Sequence, residues 1–143
     1  MKIRLAQIDT TVGDFEGNSA IVIAAISDAR ADGCDLVVFP ELALTGYPPL
    51  DLLDRPSFLE SAVATLDRVV AASDGISVLV GCILPNDGAG KALFNAAVLV
   101  RDGRIIGVHR KVLLPTYDVF DEARHFEPGP AAEVLDPDGL RIA

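Results

Sequence analysis

Two charged side chains, Glu41 and Lys111, each follow directly after an apolar run that is typical of a buried β-strand. Leu36–Phe39 is the run before Glu41, and Pro40 ends it because proline cannot donate to a sheet ladder. A carboxylate at the end of a buried strand lies at the edge where α/β proteins usually bind ligands. A glutamate and a lysine at one site can act as a general base and as a cationic stabiliser of an oxyanion.

Each of these residues also has a structural interpretation. In that interpretation, Glu41 is only a polar, solvent-exposed residue at the end of a strand, and Lys111 is an ordinary surface lysine. Only three lysines occur in the chain, which makes Lys111 more notable than a typical lysine. The two positions alone leave both interpretations open, because neither a nucleophile nor a metal is evident beside them.

Other patterns that could carry chemistry are weaker. Cys34 and Cys82 are interpreted as small buried hydrophobic residues, and neither has a metal-ligand spacing. Gly88–Lys91 resembles the end of a phosphate-binding loop, but Pro85 stands where the first glycine is required and Ala92 replaces Ser or Thr. We therefore predict an ordinary loop there. No metal site is predicted, since the two histidines lack partners at ligand spacing.

The composition excludes several classes of protein. The formal net charge is -9, which argues against binding to nucleic acid or to anionic membranes. The apolar runs are shorter than a membrane span, and the first residues lack the pattern of a signal peptide. Two cysteines in 143 residues fit a reducing compartment. We therefore expect a soluble cytoplasmic protein.

The order of elements predicts an α/β fold. Strand, helix and strand succeed one another, which implies a right-handed parallel crossover, and Asp102-Gly103 later joins two strands as an antiparallel hairpin. A second hairpin is predicted around Asp136–Gly139. The predicted strands cover 3–8, 36–39, 76–84, 92–100 and 104–109, and the predicted helices cover 18–31, with Asp14 as N-cap, and 56–72.

Taken together, these segments resemble the nitrilase superfamily of carbon-nitrogen hydrolases. The resemblance implies that Glu41 is the general base, that Lys111 stabilises the tetrahedral intermediate, and that Glu122 is a second glutamate that supports the lysine. The implied fold is an α-β-β-α sandwich, of which residues 1–143 form the N-terminal part. The matching residues are Ala6-Gln7, Val12-Gly13-Asp14, Asn18, 37–42, Asn95-Ala96-Ala97, His109-Arg110-Lys111 and Phe120-Asp121-Glu122.

Within the superfamily, the chain is most similar to the glutaminase domains of glutamine-dependent NAD+ synthetases. The segments that carry this resemblance are 44–53, which contains Gly-Tyr-Pro-Pro, and 111–126. The resemblance implies that Tyr117 and Phe120 line a glutamine pocket. It also implies that ammonia passes to a synthetase domain, which uses ATP and Mg²⁺ to amidate deamido-NAD+. The glutaminase part needs no cofactor, and the full-length protein is expected to form homo-oligomers.

The resemblance places the nucleophilic cysteine in a segment of the type Ile-Cys-Glu-Asp, just beyond Leu140–Ala143. We therefore expect the 143-residue chain to lack its nucleophile, to be inactive alone and to belong with a ligase domain that it does not contain. One alternative is a stand-alone amidase of the same superfamily that acts on another small amide. The other is a non-catalytic structural or interaction domain.

Overall fold

The computed structural model describes residues 1–118, 120–131, 134 and 135. Five strands and two long helices dominate this part of the chain. The strands are β1 (Ile3–Leu5), β2 (Leu36–Val38), β3 (Ser77–Pro85), β4 (Leu93–Arg101) and β5 (Arg104–Arg110). The helices are α1 (Phe15–Ala31), α2 (Pro56–Ala71) and the short α3 (Glu122–His125), with a 3-10 helix at Leu50–Asp54.

The strands form one sheet in the order β1-β2-β3-β4-β5. The first three run parallel, and β4 and β5 are antiparallel to their neighbours in the order. The predicted hairpin turn is confirmed, since Asp102 and Gly103 have φ values of 48° and 71°, as a tight two-residue turn requires. The end of β2, the start of β4 and the end of β5 therefore lie at the same end of the sheet along the strand direction.

Both long helices pack on the same face of the sheet. Val22 and Ile26 of α1 and Leu66 and Val69 of α2 join one core cluster with strand residues such as Val78. This arrangement follows from two successive right-handed crossovers, which place both helices on the same side. The described part of the chain thus has one layer of helices on one layer of strands, and on the other face of the sheet Leu135 packs against Leu36 and Leu99.

The predicted helices are confirmed, with shifts at their ends. Asp14 caps α1 by accepting a hydrogen bond from the Gly17 N–H at 2.9 Å, and Gly33 follows the helix with a φ of 68°. Pro56 is the first residue of α2, as predicted. Val63 of α2 is 46% exposed although it is apolar, because Ala62 and Thr65 face the core instead.

Other predictions differ from the structure or lie beyond it. β1 ends at Leu5 instead of Ile8, although the Ala6 N–H still bonds to Val38 O at 2.9 Å. The helix α3 was not predicted, because its four residues are too few to show a helical period. The predicted hairpin around Asp136–Gly139 lies outside the described residues. No helix in the described ranges has both the length and the apolar character that a membrane crossing would need.

Candidate active site

Three of the predicted site residues meet at the edge of the sheet. The Lys111 Nζ atom donates to Glu41 Oε1 at 2.7 Å and lies 3.0 Å and 2.9 Å from the two carboxylate oxygens of Glu122. The side chain of Glu122 is 5% exposed, whereas that of Glu41 is 44% exposed. One amine therefore joins a buried carboxylate to a carboxylate that solvent and a ligand can reach.

The turn after β2 points Glu41 towards this cluster. Leu42, the next residue, is fully buried and has a φ of 47°, which is a strained conformation for a residue other than glycine. The surrounding structure holds the turn in place. The Gly13 N–H donates to Thr45 O at 2.9 Å, and the Asn18 amide donates to Leu44 O at 3.3 Å. The residues near 12–18 that resemble the family thus anchor the segment that carries Glu41.

Glycine at position 81 lets the Glu41 turn cross β3. A Cβ atom at this position would lie 2.5 Å from Leu42 N, 2.6 Å from Pro40 O and 2.7 Å from Glu41 Cα. These neighbours are backbone atoms, so a side chain would force the turn away from the sheet. Gly81 therefore sets how closely the proposed base approaches the strands.

Lys111 and Glu122 are positioned by one returning loop. The Lys111 N–H donates to Asn95 O at 2.8 Å, which extends the pairing of β4 with β5. The loop after Lys111 then brings Glu122 back beside it, and the Glu122 N–H donates to Pro115 O at 3.1 Å. Phe126 pairs with Leu93 at the start of β4 and is 2% exposed. These bonds place α3 beside the end of β5.

Two further side chains complete the cluster, and sequence reasoning assigned a role to neither. The Asn95 Nδ2 atom donates to Glu41 Oε1 at 2.6 Å and to Glu122 Oε2 at 3.3 Å. The Tyr47 hydroxyl donates to Glu122 Oε1 at 2.8 Å. Both residues lie in segments that carried the family resemblance. An amide in a buried strand and a tyrosine in a proline-rich turn gave no further signal, because their partners are distant in sequence.

The carboxylates of the cluster raise the pKa values of the two donors beside them, Lys111 and Tyr47. Burial lowers the pKa of Lys111, but hydrogen bonds and attraction from Glu41 and Glu122 outweigh burial, so the pKa lies above its usual 10.5. Burial and the hydrogen bond to Glu122 raise the pKa of Tyr47 as well. The amine therefore remains a cation at neutral pH, and the phenol remains a donor. Such a cation can stabilise a developing oxyanion.

The two predicted pocket residues lie next to this cluster. Tyr117 and Phe120 pack edge to face with ring centroids 5.6 Å apart, and Phe120 is 6.2 Å from the ring of Tyr47. Tyr117 is 68% exposed. An open cavity of about 260 Å³ lies on the sheet face beside the cluster, and neither Tyr117 nor Phe120 lines it. Its lining residues include Phe39, Glu41, Asn95, His109 and Lys111. The site thus has room for a small ligand next to the amine.

Neither cysteine takes part in the cluster. Cys82 lies in the core between sheet and helices, where burial raises its thiol pKa to about 12. Cys34 packs against the same core at the opposite end of β2. Their interpretation as small hydrophobic residues agrees with these positions. Over 1–118, 120–131, 134 and 135, no three His, Cys, Asp or Glu side chains are grouped so that they could hold a metal ion.

The fold and the cluster define a class of protein. The sequence profile described as carbon-nitrogen hydrolase matches residues 2–143, and the chain belongs to this family. The resemblance noted from the sequence is thereby confirmed, together with the mixed α/β fold of the nitrilase superfamily.

More specific relatives are glutamine-dependent NAD+ synthetases. The synthetase of Thermotoga maritima is 43% identical over 144 residues, and that of Xylella fastidiosa is 43% identical over 142. Each match covers 99% of this chain and 24% of the relative, so the chain spans about a quarter of the length of these curated relatives.

Two solved structures that superpose on the chain are a synthetase of the same name and an amidase. The glutamine-dependent NAD+ synthetase of Acinetobacter baumannii superposes with a TM-score of 0.89 at 31% identity, over 97% of this chain and 26% of that one. An amidase from Nesterenkonia sp. superposes with a TM-score of 0.83 at 26% identity, over 99% of this chain and 53% of that one. A variant of that amidase carries acrylamide added at its active site cysteine.

Proposed function

We propose that this chain forms the base- and lysine-bearing part of a glutamine-hydrolysing site that supplies ammonia for NAD+ synthesis. The observation that carries the proposal is the contact of the Lys111 amine with both Glu41 and Glu122 beside an open cavity. The similarity to glutamine-dependent NAD+ synthetases over 99% of the chain supports the choice of substrate.

The proposed chemistry uses a thiol supplied by another part of the natural polypeptide. Glu41 takes the proton of that thiol, and the thiolate attacks the side-chain amide carbon of glutamine. Lys111 stabilises the oxyanion, and ammonia leaves with the proton returned by Glu41. Water then hydrolyses the thioester, so one difficult step becomes two easier ones. Glu122 holds the amine in place, and Tyr117 and Phe120 line the glutamine pocket.

The wider role is proposed on the same similarity. The ammonia passes to a synthetase domain that amidates deamido-NAD+ with ATP and Mg²⁺, while the glutaminase part works without a cofactor. The complete protein is proposed to be cytoplasmic and homo-oligomeric, with no nucleic acid or membrane as partner. The strongly acidic composition supports the last point.

The roles of Glu41 and Lys111 are testable in the complete natural polypeptide. Glu41→Gln and Lys111→Ala should each lower glutamine-dependent NAD+ synthesis by roughly 100-fold or more, the usual effect of removing a general base or an oxyanion donor. Synthesis from free ammonia should be spared, because it bypasses the glutaminase site. Both rates can be measured as NAD+ formed from deamido-NAD+ and ATP.

Glu60→Gln and Lys91→Ala are matched controls, because both side chains are exposed and belong to other parts of the chain. Each should leave both rates at the level of the unsubstituted protein. Loss of the ammonia-dependent rate together with the glutamine-dependent rate in Glu41→Gln or Lys111→Ala would contradict the assigned roles.

A stand-alone amidase is the second candidate, favoured by the superposition on the Nesterenkonia enzyme with a TM-score of 0.83. The same assay separates the two candidates. A polypeptide that releases ammonia from small amides but forms no NAD+ from deamido-NAD+, ATP and ammonia would be the amidase. Among the superposed structures, the Acinetobacter baumannii synthetase has a higher identity than the amidase, 31% against 26%, and a higher TM-score, 0.89 against 0.83, which makes the synthetase the better-supported proposal.

A further inference from the structure

One residue of the sheet contacts all three charged members of the cluster. The Asn95 carbonyl accepts from the Lys111 N–H at 2.8 Å. Its side-chain amide donates to Glu41 Oε1 at 2.6 Å and to Glu122 Oε2 at 3.3 Å. Asn95 is 3% exposed and belongs to β4, where it pairs with Ile83 of β3. The cluster is therefore attached to a buried strand at this residue.

The chemistry of the amide fixes which way it points. Ionised carboxylates only accept hydrogen bonds, so both of them must face the NH₂ group of Asn95 and not its oxygen. The two hydrogens of that group match the two carboxylates. The amide stabilises both negative charges without adding a charge of its own. The cluster then contains one ammonium and two carboxylates. The remaining negative charge is stabilised by hydrogen bonds from neutral side chains, the Asn95 amide and the Tyr47 hydroxyl.

We propose that Asn95 is a positioning residue of the hydrolytic site, which keeps Glu41 aimed at the cavity and Glu122 on Lys111. This inference rests on the proposed role of Glu41 as the general base. A side chain of similar size that presents oxygen atoms in place of this NH₂ group should disturb the placement of Glu41 and the pH dependence of the reaction.

The pH dependence of activity reports on such a role directly. With aspartate at position 95, three carboxylates would face one amine, and a proton would be retained among them at pH values where the native site has lost it. The acid limb of kcat/KM reflects the protonation of the base in the free enzyme. The titratable groups around this amide are Glu41 and Glu122, to which it donates, His109 and Lys111, which line the same cavity, and Tyr47, whose hydroxyl bonds to Glu122.

The test uses glutamine hydrolysis by the complete natural polypeptide, measured as kcat/KM from pH 5 to pH 9. Asn95→Asp should lower kcat/KM at neutral pH by about 100-fold and move the acid limb upward by about one pH unit or more. Asn95→Ala removes the donor without adding charge. It should move the acid limb in the same direction by less, about half a unit, with kcat falling more than KM rises.

Asn86→Asp is the charge-matched control, because Asn86 lies in the exposed loop between β3 and β4 and bonds within that loop. Its pH profile should match that of the unsubstituted protein. An unshifted acid limb in Asn95→Ala would overturn the proposal, whether or not Asn95→Asp folds, and circular dichroism reports the folding of each. A lack of glutamine hydrolysis by the unsubstituted polypeptide would instead overturn the proposed function.

Discussion

At the scale of single residues, the cluster depends on the buried carboxylate of Glu122. It accepts hydrogen bonds from Tyr47, Asn95 and Lys111, so both of its carboxylate oxygens are hydrogen-bonded. A buried charge of this kind is tolerated only when it is paired and hydrogen-bonded. Removing one donor therefore affects the orientation of the amine as well as the stability of the fold.

Tyr47→Phe tests this dependence, because it removes the hydroxyl and keeps the ring. A hydrogen bond to a charged group is worth about 1.5–3 kcal/mol, and we expect kcat for glutamine hydrolysis to fall by roughly 10-fold or more, with little change in KM. The control is Ser61→Ala, which removes a hydroxyl of α2 that donates to Ser57 O at 2.9 Å outside the cluster and should leave kcat near its original value. Equal kcat values for Tyr47→Phe and the unsubstituted protein would argue against a role for the hydroxyl.

At the scale of elements, the site forms where the turn that carries Glu41 crosses β3. The Glu41 turn lies on β3 over Gly81, and Asn95 reaches the same place from β4. The ends of β2 and β5 were predictable from the sequence to within one residue, whereas β1 ends three residues before the predicted position. The crossing was not predictable, because it depends on backbone distances between segments about 40 residues apart in the sequence.

Gly81→Ala tests the importance of this crossing. The new Cβ atom would lie 2.5 to 2.7 Å from three backbone atoms of the Glu41 turn, so the turn must move. We expect a loss of stability of about 1–3 kcal/mol by overpacking, and a fall in glutamine hydrolysis of about 100-fold from misplacement of the base. Thermal denaturation and kcat/KM measure the two effects.

Gly107→Ala on β5 is the comparison for this prediction. Its Cβ atom would lie 2.7 Å from Leu135 Cδ2, which is the end of a flexible side chain and can move. We expect a smaller loss of stability and an unchanged rate of hydrolysis. If Gly81→Ala were as active as Gly107→Ala, the close crossing would have no catalytic importance.

At the scale of the whole molecule, the sequence predicted the strands and helices of the fold better than the contacts of the site. Parallel strands, the hairpin and both long helices followed from apolar period, turn residues and caps. Glu41 and Lys111 were notable from their positions after apolar strands, whereas their roles and Glu122 came from the family resemblance, and the structure brings the three together. Asn95 and Tyr47 entered through their contacts alone, since a neutral amide or a phenol is common in any fold and becomes notable only beside charged partners.

The 143-residue chain provides a further prediction. Glutamine hydrolysis by a polypeptide made of these residues alone should not exceed the rate without enzyme, because Cys82 is buried with its thiol pKa raised to about 12 and Cys34 lies at the other end of β2. Ammonia release is the measurement, and the complete natural polypeptide is the comparison. Release well above background by the shorter polypeptide would mean that a nucleophile is already present in it.

The hydrogen bonds of the cluster join segments that are far apart along the chain: 54 residues for Asn95 and Glu41, 70 for Lys111 and Glu41, and 75 for Tyr47 and Glu122. Contacts of this range form slowly, because the intervening chain must first be ordered. We therefore expect the cluster to form late in folding. A nascent chain can complete it only after Glu122 has left the ribosome, by which time all five strands have been synthesised.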